Sequence, residues 1–422
     1  MNVLLLSPYP PYPPHGGGTM RIYQLIRGLA QRHTLTCLTF APDLAAEHAL
    51  APLQRICRVI TVRGPAERSL ARRAWTTLAS PLPDMALRNA DMAYAAALRG
   101  LLATEHFDII QAESIEMAGY LLQAQTYARQ AAAADVAHPQ AQRTKLILDQ
   151  FNAEYVIQKR AFLADARRLR RWHAAGYSLA QWLKLARYEA QALRGCDAVL
   201  AVADDDKRIL GRLAPRVPIE LVPNGVDTEG FSRAALRYER AGALVFEPAT
   251  LVFSGTLDYR PNVDALVWFA ASVLPLLRAR RPDIRLIAVG KRPAPALEQL
   301  ARAGMLALTG QVADARPFIA AAPVYVVPMR IGGGVRLKLL EALALEAPVV
   351  STRMGAEGIA GLHDGEHCLL ADQPEQFADA VLRLLDDRAL GQRLGAAGRA
   401  LVRQSYDWSA IVPRLEAVYQ HA

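Results

Sequence analysis

Short apolar runs alternate with longer stretches of helical periodicity along most of the chain. "NVLLLS" (residues 2–7) comes first, followed by a loop and the amphipathic "MRIYQLIRGLAQR". "TLTCLTF", "FDIIQAE", "KLILDQF" and "DAVLAVA" follow in the first half, and "ATLVFSG", "DIRLIAVG", "MLALTG", "PVYVVPM" and "APVVST" in the second. Runs this apolar and this short read as strands buried on both faces, as in parallel sheets. Their alternation with helices predicts stacked βαβ units. The periodicity fails at "ELVPNGVDTEGF" (220–231), whose Pro-Asn-Gly turn and the Ala/Arg-rich "SRAALRYERAGALVFEP" after it read as a linker. The Ala/Gln-rich "LLQAQTYARQAAAADVAHPQAQRTK" reads as a helix followed by an exposed loop. Two parallel-sheet domains are expected.

Length supports this count: at about 100–200 residues per domain, 422 residues make two or three. The net charge of +9, from 49 basic and 40 acidic residues, suits an anionic ligand, a membrane surface or nucleic acid and does not choose among them. Much of it sits in residues 156–194, with nine Lys/Arg against two Asp/Glu, among Trp172, Tyr177, Trp182 and Leu183. That segment reads either as a basic amphipathic surface for anionic lipid or as a solvated helix face packed on its own domain. No recognition module or aromatic-basic ribbon appears, so nucleic acid is not an expected partner. The four cysteines form no CxxC pair, which argues against a zinc site or a disulfide framework and fits a reducing compartment. "MNVLLLSPYP" lacks a basic n-region and reads as a first strand, not a secretory signal. No uninterrupted run of about 18 apolar residues suggests a transmembrane span. A cytoplasmic protein is expected, with any membrane contact peripheral and at the inner face.

Candidate chemistry gathers at two glycine runs. Gly16, Gly17 and Gly18 follow the first strand in "SPYPPYPPHGGGTMRI", at the carboxyl end where open parallel sheets bind ligands. They permit close backbone approach, or merely form a turn. The run is not GxGxxG and no acidic residue closes the next strand, which disfavours a nicotinamide dinucleotide. Gly332, Gly333 and Gly334 follow "PVYVVPM" and open a helix carrying Lys338 and Glu341 on one face, with Arg330 and Arg336 nearby. Free N–H groups, the helix dipole and these cations read as a phosphate site, or the run is a purely structural turn. "DDD" (204–206) opens a helix before "KRIL" and reads as helix-capping acid, not metal ligation. Asp149, Asn152 and Glu154, at the end of "KLILDQFNAE", are candidates for sugar binding or acid/base work, or for capping the next helix.

In order and spacing, the chain resembles the retaining glycosyltransferases of family 4. The resemblance rests on the first "GGG" loop, "FDIIQAES", "VPNGVD", "FSGTLDYRPN", "GGGVRLKLLEALALEAPVVST", "GLHDGEHCLLAD" and the terminal "YDWSAIVPRLEAVY". It implies an α/β GT-B fold: two Rossmann-like parallel-sheet domains facing a cleft, with a C-terminal helix crossing back to the first. On that pattern residues 1–222 are the acceptor-side domain, 223–402 the nucleotide-sugar domain and 403–422 the returning helix. It implies a nucleoside-diphosphate-sugar donor, a glycan or lipid-linked acceptor in cell-surface polysaccharide or glycoconjugate synthesis, and no metal or other cofactor. Glu341 matches the second glutamate of the family's Glu-x7-Glu motif and would bind the donor ribose. The backbone of Gly333, Gly334 and Val335 would meet the diphosphate, with Gly17 and Gly18 close by. Gly255, Arg260 and Arg330 complete the implied donor set. Three positions depart from the family. Gly333 stands where the first motif glutamate belongs. Thr256 and Pro261 replace the usual Arg and Lys, with Arg260 shifted by one. Phe151 replaces a first-domain His. The chain thus resembles a "GGGxRxK" subgroup in which Arg336 and Lys338 take the diphosphate charge. Two alternatives stay open: a transferase-like protein that binds nucleotide or glycan without turnover, and a nucleotide-sugar epimerase of the same fold.

Overall fold

The first apolar run, Asn2–Ser7 (β1), lies inside a parallel sheet of seven strands. Its partners in chain order are β2 (Thr34–Ala41), β3 (Arg58–Arg63), β4 (Ile109–Glu113), β5 (Lys145–Gln150), β6 (Ala198–Ala201) and β7 (Ile219–Leu221), and the spatial order is β3-β2-β1-β4-β5-β6-β7. A second parallel sheet has β8 (Thr250–Ser254), β9 (Arg285–Val289), β10 (Ala307–Leu308), β11 (Val324–Val327), β12 (Val349–Ser351) and β13 (Leu369–Leu370), in the order β10-β9-β8-β11-β12-β13. This is a computed structural model, and it describes residues 1–14, 16–65, 68–134, 143–166, 172–236, 246–332 and 334–422. The chain divides into two units, Met1–Pro223 with Val412–Ala422, and Asn224–Ile411.

Buried strand residues explain both sheets. Leu4, Leu6, Leu38, Phe40, Ile110 and Leu148 belong to the core of the first unit, where each fully buried side chain of this size contributes roughly 1.5–3 kcal/mol. In the second unit Leu251, Phe253, Tyr325, Phe269 and Phe377 are fully buried. The Tyr325 hydroxyl meets Ser254 Oγ at 2.6 Å, which satisfies the one polar atom of that ring. Three strands escape the sequence pattern. β3 is an edge strand with polar ends, β7 has three residues and β13 two.

In each sheet the strand order reverses direction once, at β1/β4 and at β8/β11. The crevice outside the carboxyl ends of such a strand pair is where open α/β sheets bind ligands.

The C-terminal segment differs from the expected helix from residue 403. A helix runs through Arg388–Ser405, and a new one begins at Trp408. Asp407 separates them, accepting hydrogen bonds from Ser409 N at 2.8 Å and Thr228 N at 3.1 Å. Residues from Val412 onward pack into the first unit. A side chain on Gly28 would come within 2.4 Å of Val412, and His33 Nε2 lies 3.0 Å from Glu416.

The basic segment forms two helices, Glu154–Ala166 and Trp172–Arg194. Residues 167–171 and the Trp172 side chain lie outside the described part, as do the expected exposed loop at 135–142 and linker residues 237–245. One helical run among the described residues, Arg260–Arg280, is long and apolar enough to cross a membrane by length and composition only. It contains a π-helical turn at Phe269–Val273, where Phe269 packs edge-on against Phe377 with centroids 5.7 Å apart, as a core helix of the second unit does.

Candidate functional site

At the β8/β11 switch point, two loops are drawn together by glycines that nothing larger could replace. Gly255 and Gly290 have φ of +149° and +159°, and a Cβ on Gly290 would lie 1.8 Å from the Gly255 carbonyl oxygen. A Cβ on Gly255 would lie 2.8 Å from both Asn262 Nδ2 and Lys338 Nζ. The lysine reaches this spot from the helix Leu337–Ala344, which follows β11 and the glycine loop. Its Nζ donates to Asn262 Oδ1 at 2.7 Å, and Asn262 Nδ2 donates to the Thr256 carbonyl at 2.8 Å. The ammonium also stands 4.0 Å from the Phe253 ring centroid, a cation–π contact. Desolvation lowers the Lys338 pKa to about 7; Glu341 opposes the shift and Arg336 adds to it. Desolvation likewise raises Glu341, with Lys338 opposing.

Arg336 is buried beneath the glycine loop. Its Nη1 donates to the Gly334 carbonyl at 2.9 Å, and Nη2 lies 3.8 Å from Met354 Sδ. Gly332 has φ of +140°, and a Cβ there would sit 2.6 Å from Nη2, so the loop can fold over the guanidinium only as glycine. Val335 is buried beside it. Gly333 lies outside the described residues. Gly255, Gly334, Val335, Arg336, Lys338 and Glu341 therefore share one neighbourhood. Arg330 is already engaged: it forms a two-bond pair with Asp264 at 3.1 and 2.8 Å and lies 5.6 Å from the Trp268 centroid. Arg260 is exposed at the first turn of the helix Arg260–Trp268. The sequence reading passed over Asn262; the signal was its place in "RPN", six residues after the Thr256 whose carbonyl it binds.

At the β1/β4 switch point, the helix Gly17–Leu29 begins with Gly17 exposed and Gly18 packed against an aromatic pair. A Cβ on Gly18 would lie 2.0 Å from Tyr9 Oη and 3.2 Å from Phe151. Phe151 is thus a wall of the first glycine loop, and Tyr9 is a polar group there that the sequence reading missed. Below lies a buried network. Arg21 donates from Nε and Nη2 to the two oxygens of Asp149 at 2.7 and 2.9 Å, and from Nη1 to the Pro223 carbonyl at 3.0 Å. Burial first, and then the Asp149 carboxylate, raise the Glu113 pKa well above the usual range. Gln111 donates to Glu113 at 2.7 Å and accepts from Tyr419 Oη at 2.7 Å.

Asp149, nominated for sugar binding, acid/base work or capping, has no exposed surface and both oxygens held by Arg21; it is an anchor inside the unit. Asn152 donates to Glu154 at 3.0 Å, and burial raises the Glu154 pKa. The cap of the helix Glu154–Ala166 comes from elsewhere. Glu189 accepts from the backbone of Glu154 at 3.1 Å and Tyr155 at 2.9 Å, and Asp206 accepts from Ala153 N at 3.0 Å. Burial pushes Glu189 up to about 8. Asp204, Asp205 and Asp206 occupy the first turn of the helix Asp204–Leu213, favourable for its dipole. Among the described residues no group of three or more His, Cys, Asp or Glu could hold a metal ion.

Comparison with known proteins matches both units. A family model for glycosyltransferase family 4 matches residues 15–230, and one for group 1 glycosyl transferases matches residues 248–387. The phosphatidyl-myo-inositol mannosyltransferase of Mycobacterium tuberculosis (strain ATCC 25618 / H37Rv) is 35% identical over 213 residues, 47% of this chain and 53% of that protein. The chain thus spans about half the length of that relative. The GDP-mannose-dependent alpha-(1-6)-phosphatidylinositol monomannoside mannosyltransferase of the same strain is 31% identical over 285 residues, 62% of this chain and 71% of the relative. Among solved structures, sucrose-phosphate synthase from Thermosynechococcus elongatus aligns with TM-score 0.71 at 19% identity, covering 100% of this chain and 99% of that one. Anabaena HepE in complex with UDP and glucose aligns with TM-score 0.68 at 15% identity, covering 100% of both chains. These structural likenesses establish the two-domain α/β GT-B fold.

Proposed function

The chain belongs to glycosyltransferase family 4, and from that premise we propose that it transfers a sugar, with retention of configuration and without a metal or other cofactor, from a nucleoside-diphosphate donor to a lipid-linked or glycan acceptor. The observation that carries the reading is the Lys338–Asn262–Gly255 cluster beside the Arg336 loop at the β8/β11 switch point. A departing diphosphate gathers negative charge, and preorganised cations and N–H groups stabilise it. Arg336 and Lys338 supply the cations, and the backbone about Gly334 and Val335 supplies the donors ahead of the helix Leu337–Ala344. Glu341 takes the ribose hydroxyls, and in the first unit the backbone of Gly17 and Gly18 is open to close approach by a ligand. Glu154, with Asn152 and Tyr9, provides polar groups on the acceptor side, while Asp149 positions β5 through Arg21. The relatives' names make GDP-mannose the first donor to try and a lipid the first acceptor class.

A thermal-shift screen of nucleoside-diphosphate sugars tests this, because a ligand that binds only the folded state adds about 2.7 kcal/mol at a hundredfold excess over Kd. GDP-mannose is expected to raise Tm, and no shift with any nucleotide sugar would refute the reading. Product analysis separates the alternatives: an epimerase converts donor with no acceptor present, and a binding protein shifts Tm without turnover.

Peripheral contact with anionic lipid at the inner face of the membrane is part of the same proposal. Tyr177, Leu179 and Leu183 are exposed on the helix Trp172–Arg194, and Trp75 is exposed on the helix Leu70–Ala79 that carries Arg72 and Arg73. Lys184 ties the two helices together by donating to the Ser80 carbonyl at 2.6 Å. Exposed aromatic and aliphatic side chains among cations favour an anionic interface. The protein is expected to co-sediment with phosphatidylglycerol vesicles, less so as Leu183→Asp or Trp75→Ala and less in high salt. Equal sedimentation with neutral vesicles would remove this part of the proposal.

A further inference from the structure

The turn that follows β12 is pinned against the glycine loop at several points. Thr352 Oγ1 donates to the Met329 carbonyl, and Ser351 Oγ donates to the Val327 carbonyl at 3.3 Å. Gly355 packs so closely that a Cβ would lie 2.7 Å from the Val327 carbonyl oxygen. Met354 Sδ lies 3.8 Å from Arg336 Nη2. Gly358, in the left-handed region at φ +84°, would place a Cβ 3.5 Å from both the nitrogen and the Cα of Val335. Between Met354 and Gly358 in the chain, at the C-cap of the helix Arg353–Ala356, comes Glu357.

Glu357 has an oxygen, Oε2, that is buried without a hydrogen-bond partner among the described residues. A buried unpaired acceptor carries its full desolvation cost, and a native fold keeps such a group where something else satisfies it. Arg336 and the loop backbone are assigned to phosphate, and a carboxylate does not bind phosphate. It does accept hydrogen bonds from hydroxyl groups. Glu341 and Lys338 lie on the β8 side of the glycine loop, where Lys338 meets Asn262. Glu357 ends the short helix Arg353–Ala356 that follows β12, and β12 flanks β11 on the side away from β8. A donor whose diphosphate rests on the loop has its ribose on one side and its sugar on the other.

We infer that Glu357 binds hydroxyl groups of the transferred sugar and supplies sugar specificity to the donor site. The inference rests on the transferase reading above. The test compares binding of GDP with GDP-mannose, and of UDP with UDP-glucose, by titration calorimetry on the full chain. Glu357→Gln keeps the side chain's shape, and Glu357→Ala removes it. Both are expected to bind the bare diphosphate within about twofold of wild type and to lose roughly tenfold or more for the nucleotide sugar, as expected for a lost charge-assisted hydrogen bond. Variants that bind both ligands as wild type does would overturn the assignment. So would an equal loss for diphosphate and nucleotide sugar, which marks a loop defect and not sugar recognition. Wild type that binds no nucleotide sugar would overturn the transferase reading itself, and this inference with it.

Discussion

Arg21→Ala is expected to destabilise the first unit by roughly 3–5 kcal/mol, the usual cost of removing one partner from a buried ion pair. The magnitude follows from what is left behind. Asp149 has no exposed surface, and its two oxygens depend on Arg21 at 2.7 and 2.9 Å. Without the guanidinium, a carboxylate remains in the core beside Glu113, whose own pKa is already pushed up by burial and by Asp149. The Pro223 carbonyl loses its donor as well. Against a typical stability of about 5–15 kcal/mol, this places the variant near the edge of folding, readable as a lower urea midpoint at unchanged slope. The double variant Arg21→Met, Asp149→Leu should recover much of the loss, because apolar replacement of a buried pair is often neutral. A double variant less stable than Arg21→Ala would show that the pair stabilises the fold outright. Asp149→Asn should lose stability first, with turnover per folded molecule less affected. A loss of about a hundredfold or more in turnover at intact stability would instead return Asp149 to acid/base chemistry.

That pair also marks the limit of what the sequence could tell. The strands of both sheets were legible because a strand buried on both faces must be apolar throughout, as in "NVLLLS" or "PVYVVPM". The glycine run 332–334 was legible because helix starts rich in glycine and flanked by cations have few other uses. Arg21 was not legible. It sits on the same helical face as Ile22, Leu25 and Ile26, all buried, and a cation there signals nothing until its partner 128 residues away is known. Capping was misplaced for the same reason: Glu189 and Asp206 serve the helix after Ala153 from 35 and 53 residues away. Glu357 carried no local pattern either, since its buried, unpartnered Oε2 is visible only in the structure. Local periodicity reports burial, and pairing across the sheet has to be seen.

Lys338→Met is expected to weaken donor binding roughly tenfold to a hundredfold, the loss of a charge-assisted contact worth about 1.5–3 kcal/mol. Its pH dependence separates this from a packing defect. Desolvation holds the free lysine near a pKa of about 7, so above that pH the unliganded site is largely neutral. A bound diphosphate favours the ammonium form. Binding above pH 7 therefore takes up a proton, and affinity must fall as pH rises, by at most about tenfold per unit while the bound lysine stays protonated. Below pH 7 the lysine is already charged and the slope vanishes. GDP-mannose is the suitable probe because its diphosphate diester has no group of its own titrating in this range. Calorimetry at pH 8 in two buffers of different ionisation enthalpy should show uptake approaching one proton by wild type and none by Lys338→Met. Lys338→Arg keeps the charge but is too large for the space beside Gly255, where an added Cβ would already lie 2.8 Å from Nζ, so it should give a flat pH profile without restoring affinity. A wild-type affinity independent of pH between 7 and 9 would show that Lys338 does not meet the diphosphate.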